Sequence, residues 1–315
     1  MGDTHRLTFT SMSERPSPAV KDDTRRNRLI GILMMCGAVL CFSFLDGTAK
    51  WLNHFMPSLQ TTWARYASNV IIVCAILNPI THPRAYKTSR LKLQLIRSFL
   101  LFFSTAMNFF ALRYLQLAET VSISFVTPLM VALFAIPILG ERIGVPRLIA
   151  ILVGFAGVLI VMRPGIGGLH PAAFLTFIGC IGYALYSILT RLLASHDPPQ
   201  TTMVFSGLVG FALVSLMVPF VWVPPENGWV IAGMAAVGVF GSFGHVLLIL
   251  AHQRSPASTL MPFIYTQLIW MVLIGYFVFG DVPDVYTLIG SAVVIASGLY
   301  LLYQERQRNM AESAS

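Results

Sequence analysis

The sequence predicts an all-α integral membrane protein with ten transmembrane helices, arranged as two inverted five-helix repeats. Three observations predict it. First, 56% of the 315 residues are hydrophobic and only 11% are charged, with a mean hydropathy of +0.73. Soluble domains carry about 25% charged residues, so a soluble fold of this size lacks the charge to cover its surface. Second, the two halves repeat each other at a constant offset of 140. Gln60-Thr61-Thr62 returns as Gln200-Thr201-Thr202, Gly140-Glu141 as Gly280-Asp281, Leu148-Ile149 as Leu288-Ile289, and Ala111 as Ala251. An odd number of spans per copy makes the second copy enter the membrane from the opposite side, a layout used by many secondary transporters. Third, the basic residues cluster in alternate connections, as membrane topology requires.

Ten continuous apolar runs meet the rule of about 20 residues per spanning helix. They cover 29–52, 60–79, 94–112, 120–138, 147–163, 171–192, 203–222, 229–250, 260–279 and 286–303. Such runs differ from the alternating ten-residue strands of a membrane β-barrel. The connections are short and leave no room for an inserted soluble domain. The expected organisation is a disordered cytoplasmic tail over 1–28, repeat one over 29–163, repeat two over 164–303 and a second cytoplasmic tail over 304–315.

The net charge of +8 invites a nucleic-acid reading, but the positions of the charges answer it. Lys21, Arg25, Arg26 and Arg28 precede span 1. Arg84, Lys87, Arg90, Lys92 and Arg97 surround the second connection. Arg142 and Arg147 mark the fourth, Arg191 the sixth, Arg254 the eighth, and Arg306 and Arg308 follow span 10. The odd connections hold little beyond Arg113 and Arg163. Basic loops face the cytoplasm, so both termini are placed there and no nucleic-acid partner is expected. No cleavable signal is evident. The four cysteines lie inside spans without metal-ligand spacing and are expected to stay reduced.

Within the spans, ionisable and polar side chains mark candidate solute contacts, because such groups are costly in hydrocarbon. In span 1, Asp46 and Lys50 share a helix face at i, i+4 and can neutralise one another; they are either an interfacial ion pair or part of a cavity wall. Span 2 carries Arg65 with Asn69 one turn on; Arg65 is expected to hold loop carbonyls or to pair with Asp46. Span 3 carries Asn108 behind Ser104, suited equally to helix–helix bonding and to ligand contact. Span 4 carries Thr127 before Pro128. Span 6 holds Tyr183 and Tyr186 at mid-span, where interface anchoring explains them poorly. Span 8 carries His245, either a proton relay or a neutral side chain bonded to its surroundings. Span 9 carries Tyr265, Gln267 and Trp270. Together these aromatic and amide groups suit a flat solute held by stacking and edge hydrogen bonds, or ordinary packing. Glycines at helical-face spacing, such as Gly154/Gly157 and Gly238/Gly241/Gly244, are expected to bring helices close. Zincin and nucleophile-elbow motifs are missing, so no enzyme and no cofactor are expected.

The run Asn108-Phe-Phe-Ala-Leu-Arg-Tyr114-Leu-Gln-Leu-Ala118-Glu-Thr120, then Thr127-Pro128, Leu139-Gly140-Glu141-Arg142 and Gly154/Gly157, recurs in the second half as Ala251 to Thr259, Gly280-Asp281 and Gly290/Gly298. This pattern resembles the drug/metabolite transporter superfamily in its two-domain EamA branch, across essentially all of 29–303. The resemblance implies ten helices, alternating access, and a central cavity lined mainly by spans 1, 3, 4, 6, 8 and 9. Asp281, where that family more often has Glu, is the one departure. Span 1, with Asp46-Gly-Thr-Ala-Lys50, is similar to a subgroup that includes bacterial riboflavin uptake proteins and S-adenosylmethionine carriers. It implies a small-molecule solute, with riboflavin uptake as the leading expectation. A carrier of S-adenosylmethionine and an exporter of amino acids or amphipathic metabolites are the alternatives.

Overall fold

The computed structural model describes residues 18–139, 144–163, 170–194, 196–255 and 257–312. The repeated Gly140-Glu141-Arg142, Pro256 and most of the expected N-terminal tail lie outside the described residues. The helices, in chain order, are α1 (Pro18–Leu52), α2 (Ser58–Ile76), α3 (Leu91–Ala111), α4 (Leu117–Leu139), α5 (Val145–Met162), α6 (Ala173–Leu193), α7 (Pro199–Met217), α8 (Gly228–Arg254), α9 (Met261–Phe279) and α10 (Val285–Glu312). Eight of them are long and apolar enough to cross a bilayer. The other two are α5, whose apolar stretch is the shorter Leu148–Met162, and α2, made polar by Gln60, Thr61, Thr62 and Arg65. The bundle is a multi-pass membrane fold without strands among the described residues.

Two expectations need correction at the ends. Helix α1 begins at Pro18 and α10 runs on to Glu312, into both segments expected as disordered tails. Once a spanning helix exists, each added residue gains a hydrogen bond without a new nucleation cost, so polar flanks extend it readily.

The pairing of helices is what makes two repeats one molecule. Short connections make successive helices antiparallel. The main packed pairs are α1 with α8, α3 with α6, α5 with α10, α2 with α7, α2 with α8 and α3 with α7. Exchanging each helix for the one five places on converts this set into itself. Because α1 and α6 then run in opposite directions, the exchange axis lies in the membrane plane, as an inverted repeat demands. Individual contacts obey the same exchange. A Cβ on Gly157 would lie 3.0 Å from the Gly290 carbonyl oxygen, and Ser297 Oγ donates to the carbonyl of Ala150. At the offset of 140, these are the same contact seen from each copy.

Helices α4 and α9 are irregular for local reasons. Pro128 has no N–H to give to the Ser124 carbonyl, so α4 breaks between Leu117–Ser124 and Thr127–Leu139. Helix α9 starts as a 3-10 turn through Met261–Thr266, continues as an α-helix over Gln267–Ile274 and ends in a π-turn over Gly275–Phe279. Gly280 then takes φ +70°, a left-handed conformation that glycine adopts at little cost.

Polar clips close the loops. Gln60, fully buried, exchanges two hydrogen bonds with the backbone of Val223 at 2.8 and 2.9 Å. At the other face, Asp197 in the α6–α7 connection accepts from Thr88, Ser89 and Gln94. Burial pushes the Asp197 carboxyl up, but these donors outweigh it and hold the group below its ordinary 3.8.

Two outcomes follow from this packing. Gly290→Ala places a Cβ 2.6 Å from the Gly157 carbonyl oxygen and 3.0 Å from the Val161 nitrogen, backbone atoms that cannot move aside. It is expected to destabilise the protein by about 1–3 kcal/mol, while Gly228→Ala, which meets no atom within 4 Å, leaves the melting temperature unchanged. For Asp197, a lowered folded pKa contributes stability that is full above 3.8 and is lost as pH falls below it. The melting-temperature gap between wild type and Asp197→Asn is therefore expected to stay constant from neutral pH downward and to shrink only below 3.8.

Candidate functional site

Polar side chains inside the bundle form three tiers along its long axis. We call the face where α1 begins the near face and the opposite one the far face. At the far face, the left-handed turn after α9 has the Asp281 N–H donating to the Gly275 carbonyl at 2.9 Å and the Gly280 N–H to that of Tyr276 at 3.1 Å. This turn delivers the Asp281 carboxylate to Lys50, whose Nζ lies 2.5 Å away and 4.9 Å from the Phe279 ring centre. The i, i+4 pair of Asp46 with Lys50 is thus not formed. A carboxylate carried in by the α9–α10 turn takes the ammonium, and Asp46 turns elsewhere. Arg163 pairs with Asp284 at the same face. Glu119 caps the start of α4, accepting from the Gln116 N–H.

The middle tier joins α1, α2, α3 and α8. Asn108 Nδ2 donates to Asp46 Oδ1 at 3.1 Å. Arg65 donates to Thr105 Oγ1, and its guanidinium lies 5.8 Å from the Phe109 ring centre. The expected contact of Arg65 with loop carbonyls is not seen. The Tyr66 hydroxyl reaches the same Thr105 oxygen at 3.4 Å, and a Cβ on Gly241 of α8 would lie 3.6 Å from Arg65 Nε. His245 Nδ1 lies 2.8 Å from the Gly241 carbonyl, and its ring meets Phe42 edge-on at 5.1 Å. Asp46, Arg65, Asn108, Tyr186 and His245 are only half-buried at these depths, and Tyr183 is exposed. They are contributed by five helices, α1, α2, α3, α6 and α8.

The third tier is Arg97, the residue that sequence reading misplaced. Grouped with the basic second connection, it proves to be 1% exposed inside α3. Its Nε donates to Thr190 Oγ1 at 2.7 Å, Nη1 to Ser206 Oγ at 2.9 Å and to the Thr202 carbonyl at 3.2 Å, and Nη2 to the Tyr186 hydroxyl at 3.0 Å. The guanidinium also lies 4.5 Å from the Tyr186 ring centre. Gln94, one turn earlier on α3, links Arg97 to Asp197. The signal available in sequence was the i, i+3 spacing of Gln94 and Arg97 inside an apolar run; near a helix end, that pattern is indistinguishable from a topological charge.

Of the residues expected to contact solute, the structure gathers Asp46, Asn108, Tyr183, Tyr186 and His245. The rings of Tyr183 and Tyr186 are 5.3 Å apart. Lys50 belongs to the far-face ion pair with Asp281. Tyr265 is a packing residue, edge-on to Phe125 at 5.0 Å and filling the space above Gly298. Trp270 packs against the cluster of Met35, Val39 and Leu260 between α1 and α9. Thr127 lies beside the Cys180 thiol, and Gln267 is half-buried where the 3-10 turn of α9 becomes α-helical. A groove of about 550 Å³ lies away from all of them, on the outer flank between Val145, Ile149 and Val153 of α5 and Val293 and Tyr300 of α10. Its apolar lining suits lipid.

Comparison with known proteins agrees with this architecture. The profile described as "EamA-like transporter family" matches twice, at residues 29–163 and 170–304. The riboflavin transporter of Vibrio cholerae is 25% identical over 295 residues, covering 91% of this chain and 99% of that protein. The S-adenosylmethionine uptake transporter of Rickettsia prowazekii is 25% identical over 287 residues, covering 91% of this chain and 97% of that one. The riboflavin transporter of Rhizobium johnstonii is 25% identical over 304 residues, covering 96% and 97%. A solved crystal structure at 18% identity superposes with a TM-score of 0.62 over 89% of this chain and 98% of that one, a likeness of fold. With both halves of a ten-helix membrane bundle matched by one transporter profile, the chain is a membrane transporter rather than an enzyme, and it belongs to the EamA-like transporter family.

Proposed function

We propose that this chain imports riboflavin across a bacterial inner membrane by alternating access. Both termini and the near face are on the cytoplasmic side, and the space bordered by Asp46, Arg65, Asn108, Tyr183, Tyr186 and His245 receives the solute. The observation that carries this reading is the full-length similarity to riboflavin transporters, joined to a compartment with paired tyrosines for stacking and an aspartate, asparagine and arginine for edge hydrogen bonds. The orientation is supported by the basic residues of the even connections. The repeat boundaries at 29–163 and 164–303 are supported by the two-fold exchange of helix contacts. Uptake of S-adenosylmethionine is the second reading, favoured by a relative of that name at the same identity.

Alternating access needs one face closed while the other opens. The Lys50–Asp281 pair closes the far face and the Arg97–Gln94–Asp197 network ties α3 to α6 and α7 at the near face. Opening either side requires its own set of bonds to break.

In a riboflavin auxotroph lacking its own importer, expression is expected to restore growth and uptake of labelled riboflavin. With the protein present in the membrane, no uptake rejects riboflavin as the solute. Asp46→Ala is expected to lower uptake at least tenfold without lowering protein level. For Lys50 and Asp281, the two alanine substitutions are expected to be non-additive by about 1–3 kcal/mol in a stability cycle, the range for residues in direct contact. The charge reversal Lys50→Asp with Asp281→Lys is expected to restore uptake, whereas exchanging Asp46 with Lys50 is not.

A further inference from the structure

We infer that Arg65 is the solute's anchor and selects molecules presenting two adjacent hydrogen-bond acceptors, such as a carboxylate or a carbonyl beside an acceptor ring nitrogen, over molecules carrying a fixed positive charge. This rests on reading the middle compartment as the solute site. The two intramembrane arginines are unlike. Arg97 is fully buried and places hydrogen bonds from all three of its nitrogens on Thr190, Thr202, Ser206 and Tyr186, so its fork is occupied. Arg65 is half-buried and, among the described residues, donates a hydrogen bond only to Thr105. A guanidinium carries five N–H donors in a planar fork and stays charged. Leaving most of them without a protein partner in a membrane interior is costly unless something else accepts them.

The surroundings define what accepts. Among the described residues no carboxylate lies within 4 Å of Arg65, and Asp46 already receives Asn108. Phe109 and Tyr66 flank the guanidinium with their rings at 5.8 and 5.4 Å, and Gly241 on α8 lets that helix approach Nε, a Cβ there lying 3.6 Å away. Thr105 and Arg97 lie eight residues apart on α3, so the two arginines bracket about 12 Å of helix at about 1.5 Å per residue. Tyr183 and Tyr186 lie toward the Arg97 end. A planar solute stacked near the tyrosines can therefore direct an acceptor edge to the open fork of Arg65, where paired acceptors match its geometry. A flavin has this character where its C4 carbonyl lies beside N5 and its C2 carbonyl beside N1. The sulfonium of S-adenosylmethionine opposes the field of both arginines.

The test is equilibrium binding to the full chain in nanodiscs, with riboflavin, lumiflavin, a panel of small carboxylates, and the matched pair S-adenosylmethionine and S-adenosylhomocysteine, which differ by the fixed charge. The expected result is binding of a flavin or a carboxylate, and no tighter binding of the sulfonium than of its neutral partner. Arg65→Met is expected to weaken that binding about tenfold to a hundredfold, the range for hydrogen bonds to a charged group. Arg65→Lys, which keeps the charge and loses the fork, is expected to fall between and to retain discrimination against the sulfonium if the methionine variant fails to fold. Preference for the sulfonium, unchanged affinity in Arg65→Met or Arg65→Lys, or binding of no member of the panel overturns the inference. Riboflavin uptake with an indifferent Arg65 would refute the anchor alone. Arg65-dependent binding of a carboxylate without riboflavin would refute the proposed solute alone.

Discussion

Close approach of backbones between the two halves is the constraint on which the rest of this molecule depends. Lipid gives helices no hydrophobic reason to associate, so contact must come from shape. Here the shape is cut by small residues: a Cβ on Gly238 would lie 1.9 Å from Ser68 Cβ, one on Gly244 2.8 Å from Phe42, and one on Gly182 3.1 Å from Phe103. The α1–α8, α3–α6 and α5–α10 pairs all join a helix of one repeat to a helix of the other. Neither repeat buries its own faces, and the compartment between them exists because these pairs brace it on each side.

Within that brace, the copies have diverged where polarity is needed. Asp46 and Lys50 of repeat one stand where repeat two has Tyr186 and Thr190. The first two reach Asn108 and Asp281, while the second two both hold Arg97. Equivalent positions on two helices thus serve opposite ends of the molecule with different chemistry. A symmetric scaffold carries an ion pair at one face and a guanidinium held by hydroxyl groups at the other. The difference has an energetic consequence. The ion pair can be remade by any competing counter-ion, whereas the guanidinium cradle needs several oxygens in fixed places.

Much of this was legible in the chain. The apolar runs gave the helices to within a few residues, since hydrocarbon thickness fixes their length. The glycine spacing foretold close packing, and Asp46, Asn108, Tyr183, Tyr186 and His245 stood out as polar groups within spans, Asp46 toward the outer end of span 1 and the two tyrosines at mid-span. Less was legible in partnerships. Lys50 shares a helix face with Asp46, and local spacing favours that pair; the actual partner is 231 residues away and arrives through the glycine turn after α9. Tyr265 and Trp270 look like cavity aromatics in sequence because burial against Phe125 or Met35 leaves no mark on periodicity.

The sequence by itself determined the class of the molecule, its ten membrane helices and their two-fold relation. Those follow from hydropathy, length and a repeat that any part of the chain reports locally. Only the tertiary structure decided which charges are closed off and which are open. In the sequence Arg65 reads as an arginine near the outer end of span 2 and Arg97 as one of the basic second connection. Whether a guanidinium finds oxygens depends on side chains contributed by other helices: Thr190, Ser206 and Tyr186 surround Arg97, whereas Arg65, among the described residues, hydrogen-bonds to Thr105.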